Sequence, residues 1–300
     1  MLHDVIVVGG SYAGMAAALQ LARARRKVMV IDAGIRRNRF ASHSYGFLGQ
    51  DGVDPAELAS GARRQLIAYP NLTWLEGLAA HAAKDGDDFT VTMEDGRDFR
   101  ARRLVLALGV TDILPDVPGL QERWGRSVFH CPYCHGYELE GGPIAVLAVG
   151  PVSMHQAILV PDWGPTTLLL NSTFEPDKEQ QGQLEARGVA VEPMPVACVS
   201  GEADAELTDG RVLHFAGIFT APGMRPSSDL AAVLGCAFDN GPIGPFLHTG
   251  PMKETSVPGV FACGDVARPA GSVSWAVGDG ALAGAAAHQS LIARHLRTPA

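Results

Sequence analysis

Close to its start the chain carries a β-branched run, Val5–Val8, that stops at Gly9-Gly10-Ser11-Tyr12-Ala13-Gly14. Small and apolar residues follow over Met15–Ala24, and a second apolar run spans Val28–Ile31. A strand, a helix and a strand in that order predict a parallel βαβ unit, because antiparallel neighbours need only a short turn between them. Gly9 and Gly14 hold the places where such a unit needs a tight turn and close helix–strand packing, so that a pyrophosphate can rest on the helix N-terminus. Ser11 stands where the middle glycine usually does and narrows the backbone clearance. Asp32, at the end of the second strand, is placed to accept from a ribose hydroxyl. Gly9, Gly10, Ser11, Tyr12, Ala13, Gly14 and Asp32 are thus the first candidate cofactor contacts.

Strand-like runs recur at Thr90–Met93, Leu104–Leu108, Ile144–Val149, Thr167–Leu170 and Ile218–Thr220, with helical stretches at Pro55–Ile67 and Lys178–Ala186. This alternation predicts an α/β protein with largely parallel sheets. Two stretches rich in proline and glycine, Ile113–Gly119 and Asn240–Gly250, punctuate the chain, and a second strand–glycine–helix start at Ile144 lies between them. Two Rossmann-like dinucleotide-binding domains are expected, the second inserted into the first. Residues 1–115 and 246–300 would form one discontinuous domain, completed by a terminal helix at Ala281–Arg297, and residues 116–245 the other. A chain of 300 residues is long enough for both cores.

Charge narrows the partners. A formal net charge of −8 offers no basic field for a nucleic acid. No stretch approaches the roughly 20 apolar residues that a bilayer span needs. The chain runs from Met1-Leu2-His3-Asp4 directly into its first strand, so a cytoplasmic setting without a membrane is expected. Glycine supplies 35 of the 300 residues, which calls for close backbone approach or tight turns at many places and suits a phosphate-bearing ligand.

The five cysteines form no even disulfide framework. One close pair exists, in His130-Cys131-Pro132-Tyr133-Cys134-His135-Gly136-Tyr137-Glu138. A Cys-x-x-Cys pair that starts a helical turn lets one sulfur become a thiolate near neutral pH, and the spacing lets the other close a disulfide. The flanking His130 and His135 titrate near working pH and can carry the protons of thiol–disulfide exchange. Three rival readings exist. Cys131-x-x-Cys134-His135 matches a c-type haem attachment pattern, but that chemistry accompanies export. A zinc site of His130, Cys131, Cys134 and His135 would draw four tetrahedral ligands from six neighbouring residues, so no metal is expected. Two inert buried thiols are the bland alternative. Cys198, Cys236 and Cys263 have no close cysteine neighbour and are expected as small core residues.

Further turns specify the dinucleotide. Val260–Val266 sets Gly264-Asp265 after a short apolar strand, ahead of Gly278-Asp279-Gly280 and an Ala-rich helix, and Ala107-Leu108-Gly109 ends another strand. With Gly9–Gly14 and the cysteine string, these resemble the low-molecular-weight thioredoxin reductase family over nearly the whole chain. The resemblance implies FAD in the first domain, with Asn38, Gly109, Gly264, Asp265, Ser272 and Val273 joining its contacts, and a pyridine-nucleotide-type second domain carrying the redox pair. It also implies a homodimer, with Cys134 facing the flavin and Cys131 meeting the substrate, an order that the residues alone leave open. The reductases usually place an acidic residue just after the second cysteine, and His135 stands there instead. The string Cys-Pro-Tyr-Cys-His-Gly-Tyr-Glu, with the segment from Arg37-Asn38 through Ala41–Leu48 to Asp51-Gly52, is similar to the FAD-dependent dithiol oxidases that close disulfides in microbial secondary metabolites. His43 is a candidate for the flavin pocket.

The second turn departs from the reductases. It reads Ala148-Val149-Gly150-Pro151-Val152-Ser153, so the first glycine is lost and Pro151 removes a backbone donor, although proline is tolerated at a first helical position. After Thr167–Leu170, where those reductases have a histidine–arginine cluster, the chain has Asn171-Ser172-Thr173-Phe174-Glu175-Pro176-Asp177. A carboxylate about 4 Å from a phosphate would repel it by on the order of 4 kcal/mol per charge at an effective dielectric near 20. NADPH is therefore doubtful, while charge alone leaves NADH open. The expected activity is oxidation of a small-molecule dithiol to a disulfide, with electrons passing through Cys131, Cys134 and FAD to oxygen. Reduction of a thioredoxin-like protein by NAD(P)H or another donor, and a non-enzymatic flavin redox sensor, are the alternatives.

Overall fold

A computed structural model describes residues 1–297. The chain divides into two compact units, one holding residues 1–39, 47–111 and 225 onward, the other residues 40–46 and 112–224.

In the first unit a seven-stranded sheet runs in the order Leu72–Glu76, Val28–Asp32, Leu2–Val8, Asp98–Leu106, Asp88–Met93, Ala79–Asp85, with Val260–Ala262 as a further partner of Asp98–Leu106. The first four strands and Val260–Ala262 are parallel, whereas Asp88–Met93 and Ala79–Asp85 are antiparallel to their neighbours. Side chains alternate between faces along each strand. Val5, Val7, Val28 and Val30 pack under the helices Tyr12–Arg23 and Val273–Arg297, while Ile6, Val8, Met29 and Ile31 join Phe89, Val91 and Leu230 on the other face. Cover on both faces is why these strands read as unbroken apolar runs.

The terminal helix starts at Val273 rather than at Ala281. Gly278 and Gly280 look like helix breakers, but Gly280 and Gly284 lie where this helix presses on Tyr12–Arg23. A methyl group at Gly280 would overlap the Ala13 carbonyl, and one at Gly284 the Ala17 carbonyl. Here glycine serves close approach, not termination.

The second unit holds an all-parallel sheet in the order Ala190–Glu192, Thr166–Leu169, Ile144–Leu147, Gly217–Thr220, Val128–Phe129. A three-stranded antiparallel sheet, Val196–Ser200, Asp204–Leu207 and Val212–His214, covers one of its cores through Val196, Val199, Ala205 and Leu207.

Besides the short excursion at 40–46, the chain crosses between units at 111/112 and 224/225, in the strands Val110–Ile113 and Gly223–Pro226, which pair with each other. The expected crossings were 115/116 and 245/246. Proline and glycine at Asn240–Gly250 make a hairpin of Phe238–Gly241 and Gly244–Leu247 instead of a boundary. Just before it, Leu230, Ala231 and Cys236 are buried with Ile6 and Leu106 in the first unit. Cys263 is also buried, but Cys198 is only partly covered, contrary to its expected place in a core. Among the described residues no helix is long and apolar enough to cross a membrane.

The helix crossing yields a test. Gly280→Val forces side-chain volume onto the Ala13 carbonyl, and overpacking of this kind costs about 1–3 kcal/mol. Urea unfolding should show the loss as a lower midpoint, and an unchanged midpoint would show that the crossing tolerates a side chain.

Candidate active site

Asp98–Leu106 pairs with Leu2–Val8 on one edge and Val260–Ala262 on the other, which aligns Val8, Leu106 and Ala262. The pattern continues past the strand ends, where Ala107 N donates to the Val8 carbonyl at 2.8 Å and Cys263 N to the Leu106 carbonyl at 3.1 Å. Gly9-Gly10, Ala107–Gly109 and Gly264-Asp265 therefore meet beyond the carboxyl ends of three parallel strands, where open α/β sheets take ligands. Gly9 has φ +105°, and a Cβ there would overlap the Ala107 carbonyl. Only glycine suits that position.

Asp32 accepts from Gly10 N at 3.2 Å and Gly34 N at 3.1 Å, both on Oδ1, so Oδ2 has no partner among the described residues. Ser11 is the N-cap of Tyr12–Arg23, yet its side chain makes no capping hydrogen bond. The first-turn amides of that helix are left without an internal acceptor. Asn38 Nδ2 donates to Tyr12 Oη at 3.2 Å, and Tyr12 Oη donates to the Pro55 carbonyl at 3.1 Å. Asn38 Oδ1 and Trp74 Nε1 are buried with no hydrogen-bond partner among the described residues. Arg37 meets Asp265 at 2.8 Å, each side chain less than one-fifth exposed. Deeper in, Asp279 accepts from Arg268 at 2.7 Å and lies 2.9 Å from Lys253 Nζ. Burial pushes the Asp279 carboxyl up, but hydrogen bonds from Arg268 and Lys253 outweigh it and hold the group below its usual range.

These features fit a dinucleotide. Uncapped amides suit a pyrophosphate, Asp32 Oδ2 suits a ribose hydroxyl, and the orphaned Asn38 and Trp74 atoms await polar partners. Ser272 is engaged otherwise: its hydroxyl accepts from Trp275 N at 3.2 Å and caps the terminal helix, which Val273 begins. Gly109 has φ +66° at the strand end, and Gly264 packs on Ala13.

In the second unit Cys131 is the N-cap of the single turn Pro132–His135 and is bonded to Cys134, with Cα atoms 5.3 Å apart. The two sulfurs hold each other, and among the described residues no group of three or more His, Cys, Asp or Glu is placed to hold a metal ion. His130 leads into the turn with its ring 5.9 Å from Trp124, and Gln156 Nε2 pins its carbonyl at 2.8 Å while also donating to the Thr220 carbonyl at 3.2 Å. His135 stacks on Phe129, ring centroids 4.3 Å apart. Desolvation in that contact pushes its pKa down to about 4. At neutral pH the imidazole is almost wholly uncharged, unlike the titration near working pH expected of it. Tyr133 sits edge-on to Trp163 at 5.3 Å, and both Tyr133 and Tyr137 are exposed.

The second glycine turn is closed on itself. Ser153 Oγ, fully buried, accepts from Val149 N at 2.9 Å. The helix begins at Ser153, so Pro151 lies in the turn and not at the first helical position. Asn171 and Ser172 both have positive φ, and Asn171 Oδ1 accepts from Val196 N at 3.0 Å. Asp177 accepts from Gln180 N at 2.9 Å as a helix cap. Its carboxylate caps its own helix, and both Asp177 and Glu175 are exposed acids of this loop.

The sequence pattern of the Pyridine nucleotide-disulphide oxidoreductase family matches residues 3–288. The chain belongs to that family. It is similar to thioredoxin reductase tcpT of Claviceps purpurea, 33% identical with 97% of this chain and 94% of the relative covered. Thioredoxin reductase sirT of Leptosphaeria maculans is also 33% identical, over 94% of this chain and 92% of its own. A crystal structure of an oxidoreductase from Agrobacterium tumefaciens superposes with a TM-score of 0.95 at 55% identity, covering 97% of this chain and 99% of that one. The protein is an FAD-dependent oxidoreductase of the thioredoxin reductase type, with two Rossmann-like domains.

Within this oxidoreductase, His43 falls in the segment 40–46 that groups with the cysteine-bearing unit. Its ring stacks on Tyr45 at 5.9 Å, and its Nδ1 lies 2.9 Å from Ser42 Oγ. Sequence reasoning missed the Arg37–Asp265 and Arg268–Asp279 pairs, whose members are too far apart in the chain for any local pattern to join them. Gln156 left a faint signal, a lone amide among Met154, Ala157 and Val160.

His135 gives the oxidoreductase a pH signature. Its unfolded-state pKa is 6.5 and its folded value about 4, so between those values the unfolded chain binds more protons. Stability from this residue is intact above pH 6.5 and is lost as pH falls through 4, to a limit of about 3 kcal/mol. His135→Phe, which keeps the stacking ring, should remove this loss. Urea unfolding of both proteins at pH 7 and pH 4.5 reads it, and parallel pH profiles would refute the assignment.

Proposed function

We propose that the oxidoreductase is a dithiol oxidase that acts on a small-molecule dithiol. A substrate thiolate attacks Cys131 of the Cys131–Cys134 disulfide and releases Cys134 as thiolate. The second substrate thiol then attacks the mixed disulfide, so the substrate leaves as a disulfide and both cysteines are reduced. FAD, when bound, would supply the two-electron acceptor for return of the cysteine pair to its disulfide and a route for those electrons to oxygen. His130 carries protons at the entrance of the turn. His135 begins neutral, and a thiolate formed at its neighbour Cys134 favours its protonated form, so it takes up a proton only as exchange proceeds. A homodimer is the assembly that the family resemblance supports.

The observation that carries the direction of flow is the turn at Val149–Ser153. One backbone donor is taken by Ser153 Oγ and another is missing at Pro151, and residues 171–177 hold no cation. Nothing there favours a pyridine nucleotide, so the dithiol is left as the electron source. The names of the fungal relatives favour the opposite direction, reduction of a thioredoxin-like disulfide.

Anaerobic mixing separates the two. A small dithiol should bleach the visible flavin band, and NADPH or NADH should leave it intact. Fast stoichiometric bleaching by NADPH would overturn the oxidase reading. Cys134→Ser should bring turnover below detection while the flavin stays bound, and undiminished turnover would remove the cysteines from the chemistry.

A further inference from the structure

We propose that Tyr12 is a positioning residue for the cofactor: its hydroxyl fixes the Asn38 side-chain amide so that the carbonyl oxygen, not the amide nitrogen, is presented to bound FAD. The inference rests on FAD occupying the Gly9–Gly14 turn and concerns how this chain's own residues prepare for it.

The chain of hydrogen bonds starts from a rigid anchor. Pro55 is the first residue of the helix Pro55–Ile67, and Asp54 caps that helix by accepting from Ala56 N at 2.6 Å and Glu57 N at 3.1 Å. The Pro55 carbonyl can only accept, so at 3.1 Å it takes the single proton of Tyr12 Oη. With no second proton to give, Oη meets Asn38 only as an acceptor. The amide atom that faces it at 3.2 Å must then be the donor, Nδ2. Turning the amide over would set two acceptor oxygens against each other.

Asn38 Oδ1 therefore points away from Tyr12 by necessity. It is buried and has no hydrogen-bond partner among the described residues, a condition that native structures seldom leave unanswered. The partner it requires is a donor. FAD carries one group that can only donate, the imide N–H of its ring, and an amide nitrogen in the same place would leave that donor facing another donor; its ribityl and ribose hydroxyls can donate to the oxygen as well. Tyr12 itself is 8% exposed, and burial raises the pKa of its hydroxyl, so the proton on which the arrangement depends stays in place at working pH.

The test is a double-mutant cycle read by FAD dissociation constants, from flavin fluorescence titrations of the apoprotein. Tyr12→Phe keeps the buried ring and frees the amide to turn. FAD affinity should fall roughly five- to tenfold, as expected for one mis-set buried hydrogen bond. In an Asn38→Ala background the same substitution should change affinity by less than about twofold, because no amide is left to orient. An Asn38→Asp background should also be insensitive, since a carboxylate has an oxygen on either side. The thermal midpoint of each apoprotein separates a folding defect from a binding one. The proposal is overturned if Tyr12→Phe binds FAD like the wild type, or if it loses the same factor in all three backgrounds. Failure of the wild-type apoprotein to bind FAD would be a different result, and would remove the cofactor assignment beneath it.

Discussion

Asp98–Leu106 is paired along both edges, and the cofactor turn exists because of it. Its first half holds the antiparallel Asp88–Met93 on the edge away from Leu2–Val8, and its second half takes the parallel Val260–Ala262 on that same edge. One strand thus joins the start of the chain to a segment near its end. Remove the pairing of Ala262 with Leu106 and Gly264-Asp265 loses its place beside Gly9. Arg37 would then lose the buried carboxylate it pairs with. The inserted second unit requires this arrangement, since the first domain is interrupted at 111/112 and can be completed only after the chain returns at 224/225.

What could be read from the residues follows the range over which each signal acts. The βαβ start, the helices Pro55–Ile67 and Lys178–Ala186, and the Cys-x-x-Cys turn are written locally, in periodicity, caps and spacing, and the structure has them where the residues put them. Ala79–Asp85 shows the limit. Its three central residues in the run Ala79-Ala80-His81-Ala82-Ala83 carry little strand preference, yet pairing with Asp88–Met93 makes it a strand, with Ala79 and Ala82 on the buried face. At the terminal helix, Gly280 was misleading because the same residue type marks a helix end and a close helix crossing, and only the partner helix tells them apart. The ion pairs of the first unit were invisible for a related reason: a charge shows its sign in the sequence but not its partner.

The paired charges also set how rigid the site is. Asp279 is 3% exposed and answers to two cations, Arg268 and Lys253. One buried carboxylate against two cations is stable only while all three stay in place, since breaking such a pair leaves a desolvated charge behind. Lys253 accepts a positive φ of 63° to reach it, a conformation that lysine rarely adopts. The loop after Gly264 is therefore held by electrostatics at both ends, through Arg37 on Asp265 and through Arg268 on Asp279.

The same local design appears once in each unit, with opposite outcomes. In both, an apolar parallel strand ends in glycine and a helix follows, and in both a serine sits near the helix start. Ser11 makes no capping hydrogen bond, so the amides of its turn stay open and Asn38 and Trp74 keep unanswered polar atoms nearby. Ser153 turns its hydroxyl back on Val149 N, inside a core where it has no exposure at all, and Pro151 contributes no amide. A backbone donor can be satisfied by its own chain or by a ligand, but a buried one is seldom left with neither. The first turn leaves its helix amides open to a phosphate, whereas in the second Ser153 Oγ answers Val149 N from within. Divergence between two halves of one architecture can thus be followed donor by donor, with no change of fold.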